Sequence, residues 1–181
     1  DTRDLRISRV LALGADATWK PASFTLAARD PMRGSHLRIT LREQASKVRI
    51  YYASAPQASG LQWLTPAQTL GKTQKFMFSQ SQAIHARSWV PLQDTPAVRI
   101  PYSARITAPK GLRVLMSANN DPAQDGVGGY RFVMPQPIPS YLLAIAIGEL
   151  AHEDVGPRTT IWSEPGRLAA SVSEFVDTEK M

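Results

Sequence analysis

Lys47-Val48-Arg49-Ile50-Tyr51-Tyr52 alternates charged or polar side chains with apolar ones, and Arg38-Ile39-Thr40-Leu41-Arg42 does the same. Successive side chains of an extended chain point to opposite faces. Each segment therefore reads as a β-strand with one wet face and one buried face. Leu5-Arg6-Ile7-Ser8-Arg9-Val10-Leu11 begins in that pattern, with Leu5, Ile7 and Arg9 on one face, and loses phase at Val10-Leu11. Further strands are expected at residues 23–27, 75–78, 98–107, 113–117, 130–134, 141–150 and 158–162. Turn signals separate them: Asp30-Pro31 with Gly34, Ala58-Ser59-Gly60, Pro109-Lys110-Gly111, and the loop over residues 119–129.

Many short strands at close spacing imply a mainly β fold of sandwiched or layered sheets. The chain's 14 prolines and 11 glycines disfavour long helices. One helix is expected, at the end. Ser163-Glu164-Pro165-Gly166 offers an N-cap and an early proline, and Leu168, Val172 and Phe175 give an apolar stripe. The most apolar run, residues 141–148 (YLLAIAIG), reads as a buried strand. It is too short to cross a bilayer as a helix, which takes about 20 residues.

The 181 residues, 43% hydrophobic and 20% charged, are ordinary for one globular domain. Cysteine is absent, which excludes a disulfide scaffold, a thiolate metal site and a thiol nucleophile. The three histidines, His36, His85 and His152, share no ligand spacing, and no H-E-x-x-H occurs. No metal ligands are assigned. Asp125-Gly126-Val127-Gly128-Gly129 lacks the dinucleotide-binding spacing and leads into a strand, so it reads as a hairpin connection. Ser79, Ser81, His85 and Asp94 could be drawn as a hydrolase triad, but no G-x-S-x-G elbow is present and no spacing gathers them. His85 reads as a hydrogen-bonded structural histidine, and Asp94, beside Thr95-Pro96, as a turn-maker bonding nearby backbone N–H groups. Trp63, Trp89 and Trp162 read as core or interface residues.

Residues 61–96 differ in kind. Leu61-Gln62-Trp63-Leu64, then Phe78-Ser79-Gln80-Ser81-Gln82-Ala83-Ile84-His85, then Pro91-Leu92-Gln93-Asp94-Thr95-Pro96 occur in that order. Leu115-Met116-Ser117-Ala118, Pro137-Ile138-Pro139-Ser140-Tyr141-Leu142-Leu143-Ala144 and Gly156-Pro157-Arg158-Thr159 with Trp162-Ser163-Glu164 follow. This set of words resembles the N-terminal domain of the zinc aminopeptidase family that includes leukotriene A(4) hydrolase and aminopeptidase N. It covers nearly all of residues 5–181, weakly before Leu61.

The resemblance implies a saddle-like arrangement of layered β-sheets, mostly antiparallel with some mixed, and a short C-terminal helix that is cut off. Residues 1–181 would be a partial N-terminal β domain. The family's zinc ligands, catalytic glutamate, G-x-M-E-N word and transition-state tyrosine belong to a later domain, absent from this chain. No catalytic residue and no cofactor is therefore assigned here, and zinc is expected in the missing domain. The resemblance further implies that the segment at residues 80–83 reaches the catalytic cleft. The position of Gln82 would bind the substrate's free α-amine, with Gln80 beside that pocket and Ala83 lining its wall. Most aminopeptidases of the family carry glutamate where this chain has Gln82, which points to the leukotriene A(4) hydrolase branch. Read as residues alone, Gln80 and Gln82 are two exposed strand positions on one face.

The implied function is a non-catalytic domain of an enzyme that removes N-terminal residues from peptides. Its partners would be the parent's catalytic domain and peptide substrates. The alternatives are a stand-alone β-sandwich binding module and a domain of an inactive peptidase homologue. The chain starts at Asp1 without a methionine or a signal-type apolar run, and reads as a piece of a longer protein. Compartment is not fixed, with the cytosol preferred over export. Net charge is +6 and uneven. Residues 31–93 carry eight bases (Arg33, Arg38, Arg42, Lys47, Arg49, Lys72, Lys75, Arg87) against Glu43 alone, and residues 149–181 carry three bases and seven acids. The bases stand singly between apolar residues, with no arginine run and no RNA-binding aromatic word. A domain that docks on a neighbour is expected, rather than one that binds nucleic acid or a membrane.

Overall fold

The computed structural model describes residues 1–41 and 45–181. Arg42, the end of one alternating segment, and Glu43 lie outside the described residues. Among the described residues the fold is mainly β, with one short α-helix near the C-terminus. Two compact units divide the chain.

The first unit comprises Asp1–Leu61, Gln80–Arg99 and Ile138–Leu142. Its strands are β1 (Arg6–Leu13), β2 (Trp19–Pro21), β3 (Ser23–Leu26), β4 (Leu37–Thr40) and β5 (Lys47–Ala53). A three-stranded sheet runs in the order β2-β1-β5, and β3 and β4 form a separate pair. The pairs β1/β2, β1/β5 and β3/β4 are antiparallel. The lost phase in β1 has a physical cause. A bulge lies between Ile7 and Arg9, so Ile7 faces Tyr52 while Arg9 faces Tyr51. The extra residue, Ser8, reverses the alternation. Leu5 and Val10 are consequently buried, at 5% and 2% exposure, whereas Arg9 is exposed. The expectation that Arg9 shares a face with Leu5 and Ile7 is corrected by that bulge. β2 was not anticipated. It is a three-residue strand whose pairing follows from the tight turn at Gly14–Thr18, where Gly14 N donates to Thr18 O at 3.1 Å and Asp16 Oδ1 accepts from Thr18 N at 3.1 Å.

The second unit comprises Gln62–Ser79, Ile100–Pro137 and Leu143–Met181. It carries all or most of β6 (Leu61–Leu64), β7 (Phe76–Ser79), β8 (Arg99–Ile106), β9 (Arg113–Met116), β10 (Tyr130–Pro139), β11 (Ile145–Gly148), β12 (Ala151–Gly156) and β13 (Thr159–Ser163). A four-stranded sheet has the order β6-β7-β11-β9, with β10/β8 and β12/β13 as further pairs. The pairs of β11 with β7 and β9, and of β12 with β13, are antiparallel.

Three sequence expectations change here. Residues 141–150 do not form one buried strand. Ser140–Leu142 is a 3-10 turn with Leu142 half exposed, and the strand starts at Ile145. Two side chains fix that start: Ser117 Oγ accepts from Ala144 N and Ser79 Oγ from Ile145 N, each at 2.9 Å. β10 runs five residues past Met134, through Pro135, Pro137 and Pro139. Prolines at alternate positions place every missing N–H on one edge, so β10 pairs on its other side, with β8. Ser163 does not cap the helix but ends β13. A 3-10 turn, Pro165–Arg167, intervenes before α1 (Leu168–Phe175). Glu164 instead receives the backbone N–H of Leu70 at 2.7 Å. Leu168 and Val172 are half-buried, but Phe175 is exposed.

Candidate functional site

Gln80, Gln82 and Ala83 lie in a loop that leaves β7, so they are not two positions of an exposed strand. Residues 82–85 form turns, and the chain then enters a 3-10 turn at Ala86–Ser88. Gln80, Gln82 and Ala83 are exposed, while Ser81 between them is 2% exposed. The peptide bond between Gln82 and Ala83 is cis. The Gln80 side-chain oxygen accepts the Gln82 backbone N–H at 3.2 Å. Both amides thus stand at the surface of a loop whose middle residue is anchored inward.

The anchor is built from buried hydrogen bonds. Gln80 N donates to Gly60 O at 2.9 Å, and His85 N donates to Ser81 O at 2.9 Å. Trp89 Nε1 donates to Ser81 Oγ at 3.3 Å. Ser88 Oγ accepts from Gly60 N at 2.8 Å and donates to His85 O at 2.7 Å. Gly60 is required by this close approach, because a Cβ there would sit 2.5 Å from His85 O and 2.9 Å from Ser88 Oγ. The Ala58-Ser59-Gly60 turn read from sequence is therefore one wall of the loop's support.

One layer further in lies a buried ion pair. Arg87 Nε donates to Asp94 Oδ2 at 3.0 Å, and the two side chains are 7% and 0% exposed. The same oxygen accepts Arg87 N at 3.1 Å, and Asp94 Oδ1 accepts from Ser140 Oγ at 2.6 Å. The remaining guanidinium N–H groups reach Arg33 O at 2.7 Å and Asp94 O at 2.8 Å. Asp94 does accept a nearby backbone N–H, as expected. It is nevertheless a buried charge partner rather than a surface turn-maker, because Arg87 occupies the interior beside it. Arg3 closes the other side. Its backbone N–H donates to Arg87 O at 2.8 Å, and its Nη1 lies 3.1 Å from both Ser59 Oγ and His85 Nδ1. A guanidinium only donates, so Nδ1 of His85 is the acceptor and the neutral ring carries its proton on Nε2. His85 is thus a hydrogen-bonded structural residue.

No triad forms. Ser79 Oγ holds Ile145 N, Ser81 Oγ holds Trp89, His85 meets Arg3 and Ser59, and Asp94 meets Arg87. Among the described residues, no three His, Asp or Glu side chains gather where they could hold a metal ion. The residues present do not fit a zinc centre, which takes three protein ligands with an open position. Trp63 is 54% exposed and belongs to no core. Trp89 and Trp162 are half-buried, and Trp162 lies against His152 at 4.6 Å and under the Arg113 guanidinium at 5.1 Å. Arg3, Arg87, Ser88 and Ser140 escaped the reading of the sequence. Arg87 counted only as one base among eight, and Ser140 stands 46 residues from the carboxylate it holds.

Residues 1–142 match the family described as the Peptidase M1 N-terminal domain. The whole chain is 44% identical to leukotriene A-4 hydrolase of Xenopus laevis, of which it covers 30%. Aminopeptidase B of Rattus norvegicus is 44% identical over 66% of this chain and 18% of its own. The solved structure of native leukotriene A4 hydrolase from Saccharomyces cerevisiae superposes with a TM-score of 0.87 at 36% identity, over 99% of this chain and 27% of that one. An M1 zinc metallopeptidase from Deinococcus radiodurans shares the fold at a TM-score of 0.59 and 19% identity, over 90% of this chain and 37% of its own. The chain spans less than a third of the length of the leukotriene A4 hydrolases it matches.

Proposed function

The chain belongs to the Peptidase M1 N-terminal domain family, and on that premise we propose that residues 1–181 are the non-catalytic β domain of a zinc aminopeptidase that removes N-terminal residues from peptides. Its contribution is recognition rather than bond cleavage. The side-chain oxygen of Gln82 accepts a hydrogen bond from the substrate's free ammonium group, which fixes the register of the chain to be cut. Gln80 lies beside that contact and Ala83 walls it. A glutamine is neutral, so this amine site holds one negative charge fewer than a glutamate would supply.

One observation carries the reading. The exposed amides of Gln80 and Gln82 flank a buried Ser81, and the backbone behind them is tied to Gly60, His85 and Ser88. A loop held in this way can present a polar group at constant geometry without a bound partner. Zinc supplies Lewis acidity and a reactive water in such enzymes. That chemistry would come from the domain following this one.

The test compares two lengths of the protein. The 181-residue chain should retain no stoichiometric zinc after dialysis and should not cleave an aminoacyl p-nitroanilide. A form extended through the following domain should do both, and should reject the same anilide when its amine is acetylated. Cleavage of the acetylated substrate at a comparable rate would sink the amine-recognition reading.

A further inference from the structure

The sheet β2-β1-β5 has two unlike faces. Antiparallel residues that lie opposite one another share a face. The register places Val10 with Ile50 and Ala12 with Val48 and Lys20 on the face that contains the buried Val10. The other face collects Arg6 opposite Ala53, Arg9 opposite Tyr51, Leu11 opposite Arg49 and Pro21, and Leu13 opposite Lys47 and Trp19. Arg6, Arg9, Lys47 and Arg49 are exposed. None of the three strands contains an aspartate or glutamate. Among the described residues, no carboxylate pairs with any of these four cations.

Two of the cations are held in place. The Arg9 guanidinium lies 4.0 Å from the Tyr51 ring centre, and that of Arg49 lies 4.2 Å from the Trp19 ring centre. A guanidinium held against an aromatic ring is restrained, and a guanidinium has five N–H donors, enough to receive a carboxylate besides its ring contact. Half-buried Leu11 and Leu13 lie between the cations. Tryptophan, tyrosine and arginine around a small apolar centre is the composition of binding hot spots.

We propose that this face docks a separate protein partner, through a polypeptide segment in which carboxylates alternate with apolar side chains. Three features select that occupant. The charge is wholly positive, so the partner is acidic. The two rings already carry guanidiniums, so bases of a single-stranded nucleic acid would have to displace them in order to stack. Four cations around two half-buried leucines are too polar for an obligate oligomer interface, which resembles a core cut in half. The proposal does not depend on the peptidase reading.

The probe is a fluorescein-labelled decapeptide alternating glutamate and leucine, followed by anisotropy at low salt. A decathymidylate oligonucleotide and phosphatidylserine vesicles serve as rivals. The peptide should bind the 181-residue chain, and Arg9→Ser/Arg49→Ser should weaken it at least about tenfold. Arg38→Ser/Lys110→Ser, which removes two exposed charges elsewhere, should stay within about twofold. If the first variant does not fold, Arg49→Glu alone should give the same loss. A form extended beyond Met181 should bind the peptide equally well. Equal losses in both double variants, tighter binding of either rival, or no peptide binding by either length would each overturn the proposal. Binding by the short chain alone, lost in the extended form, would also overturn it and assign the face to a domain of the same polypeptide.

Discussion

Replacing Asp94 with asparagine probes the ion pair beneath the candidate loop without changing its shape. Asp94 and Arg87 are both buried, and the carboxylate receives Arg87 Nε at 3.0 Å, Arg87 N at 3.1 Å and Ser140 Oγ at 2.6 Å. The asparagine keeps one acceptor oxygen and introduces an NH2 group facing donors. Arg87 would then retain a buried positive charge with the carbonyls of Arg33 and Asp94 and only the longer, 3.7 Å contact to the partly exposed Asp1 carboxylate to offset it. Removing one member of a buried pair costs about 3–5 kcal/mol. A chain of this kind has a total stability of about 5–15 kcal/mol, so Asp94→Asn should lower the urea midpoint steeply or prevent folding. Ser140→Ala deletes one charge-assisted bond and should cost about 1.5–3 kcal/mol. The double variant Arg87→Met/Asp94→Leu should be far less harmful than the single changes summed, because it removes both charges together. Urea unfolding followed by circular dichroism measures all three. A loss under about 1 kcal/mol for Asp94→Asn, or strict additivity in the double variant, would refute the argument that this pair is a desolvated, mutually dependent unit.

Two smaller predictions follow from local geometry. Because the Ser8 bulge turns Val10 inward and Arg9 outward, Val10→Ala should cost about 1.5–3 kcal/mol, while Arg9→Ala should stay within about 0.5 kcal/mol in urea unfolding. Hydrogen bonds from Lys20 and then from Thr18 lower the Asp16 carboxyl from its ordinary 3.8 to about 2. A depressed carboxyl contributes its stability fully above pH 3.8 and loses it as the pH falls through about 2. Asp16→Asn should therefore lower the melting temperature modestly at neutral pH, where the contribution is fully present, and flatten the acid limb of the profile between those values.

The strands were legible where alternation is regular. Lys47 to Tyr52 and Arg38 to Thr40 were legible as strands from period two alone, but the expected buried face of the first is not found, since Val48 and Tyr52 are exposed at 45% and 38%. β2, β6 and β12 were not, because three to six residues such as Trp19-Lys20-Pro21 or Ala151-His152-Glu153-Asp154 carry no period of their own and depend on the partner strand. Prolines hid the second half of β10, since they normally end a strand and here lie along an unpaired edge. The site was legible only through resemblance. Gln80 and Gln82 have no local signal, and the groups that hold them, Gly60, Arg87, Ser88 and Ser140, meet through the fold rather than through spacing. Local pattern reports where a strand runs; it does not report which distant hydroxyl will reach a buried carboxylate.

The central claim is that Gln82 receives a free amine, and Gln82→Ala in the form extended through the following domain tests it most directly. Losing a hydrogen bond to a charged group costs about 1.5–3 kcal/mol. Hydrolysis of an aminoacyl p-nitroanilide should therefore fall about 10- to 150-fold in kcat/KM, with Gln82→Glu retaining activity. An unchanged kcat/KM for Gln82→Ala in a folded, zinc-loaded protein would contradict the account.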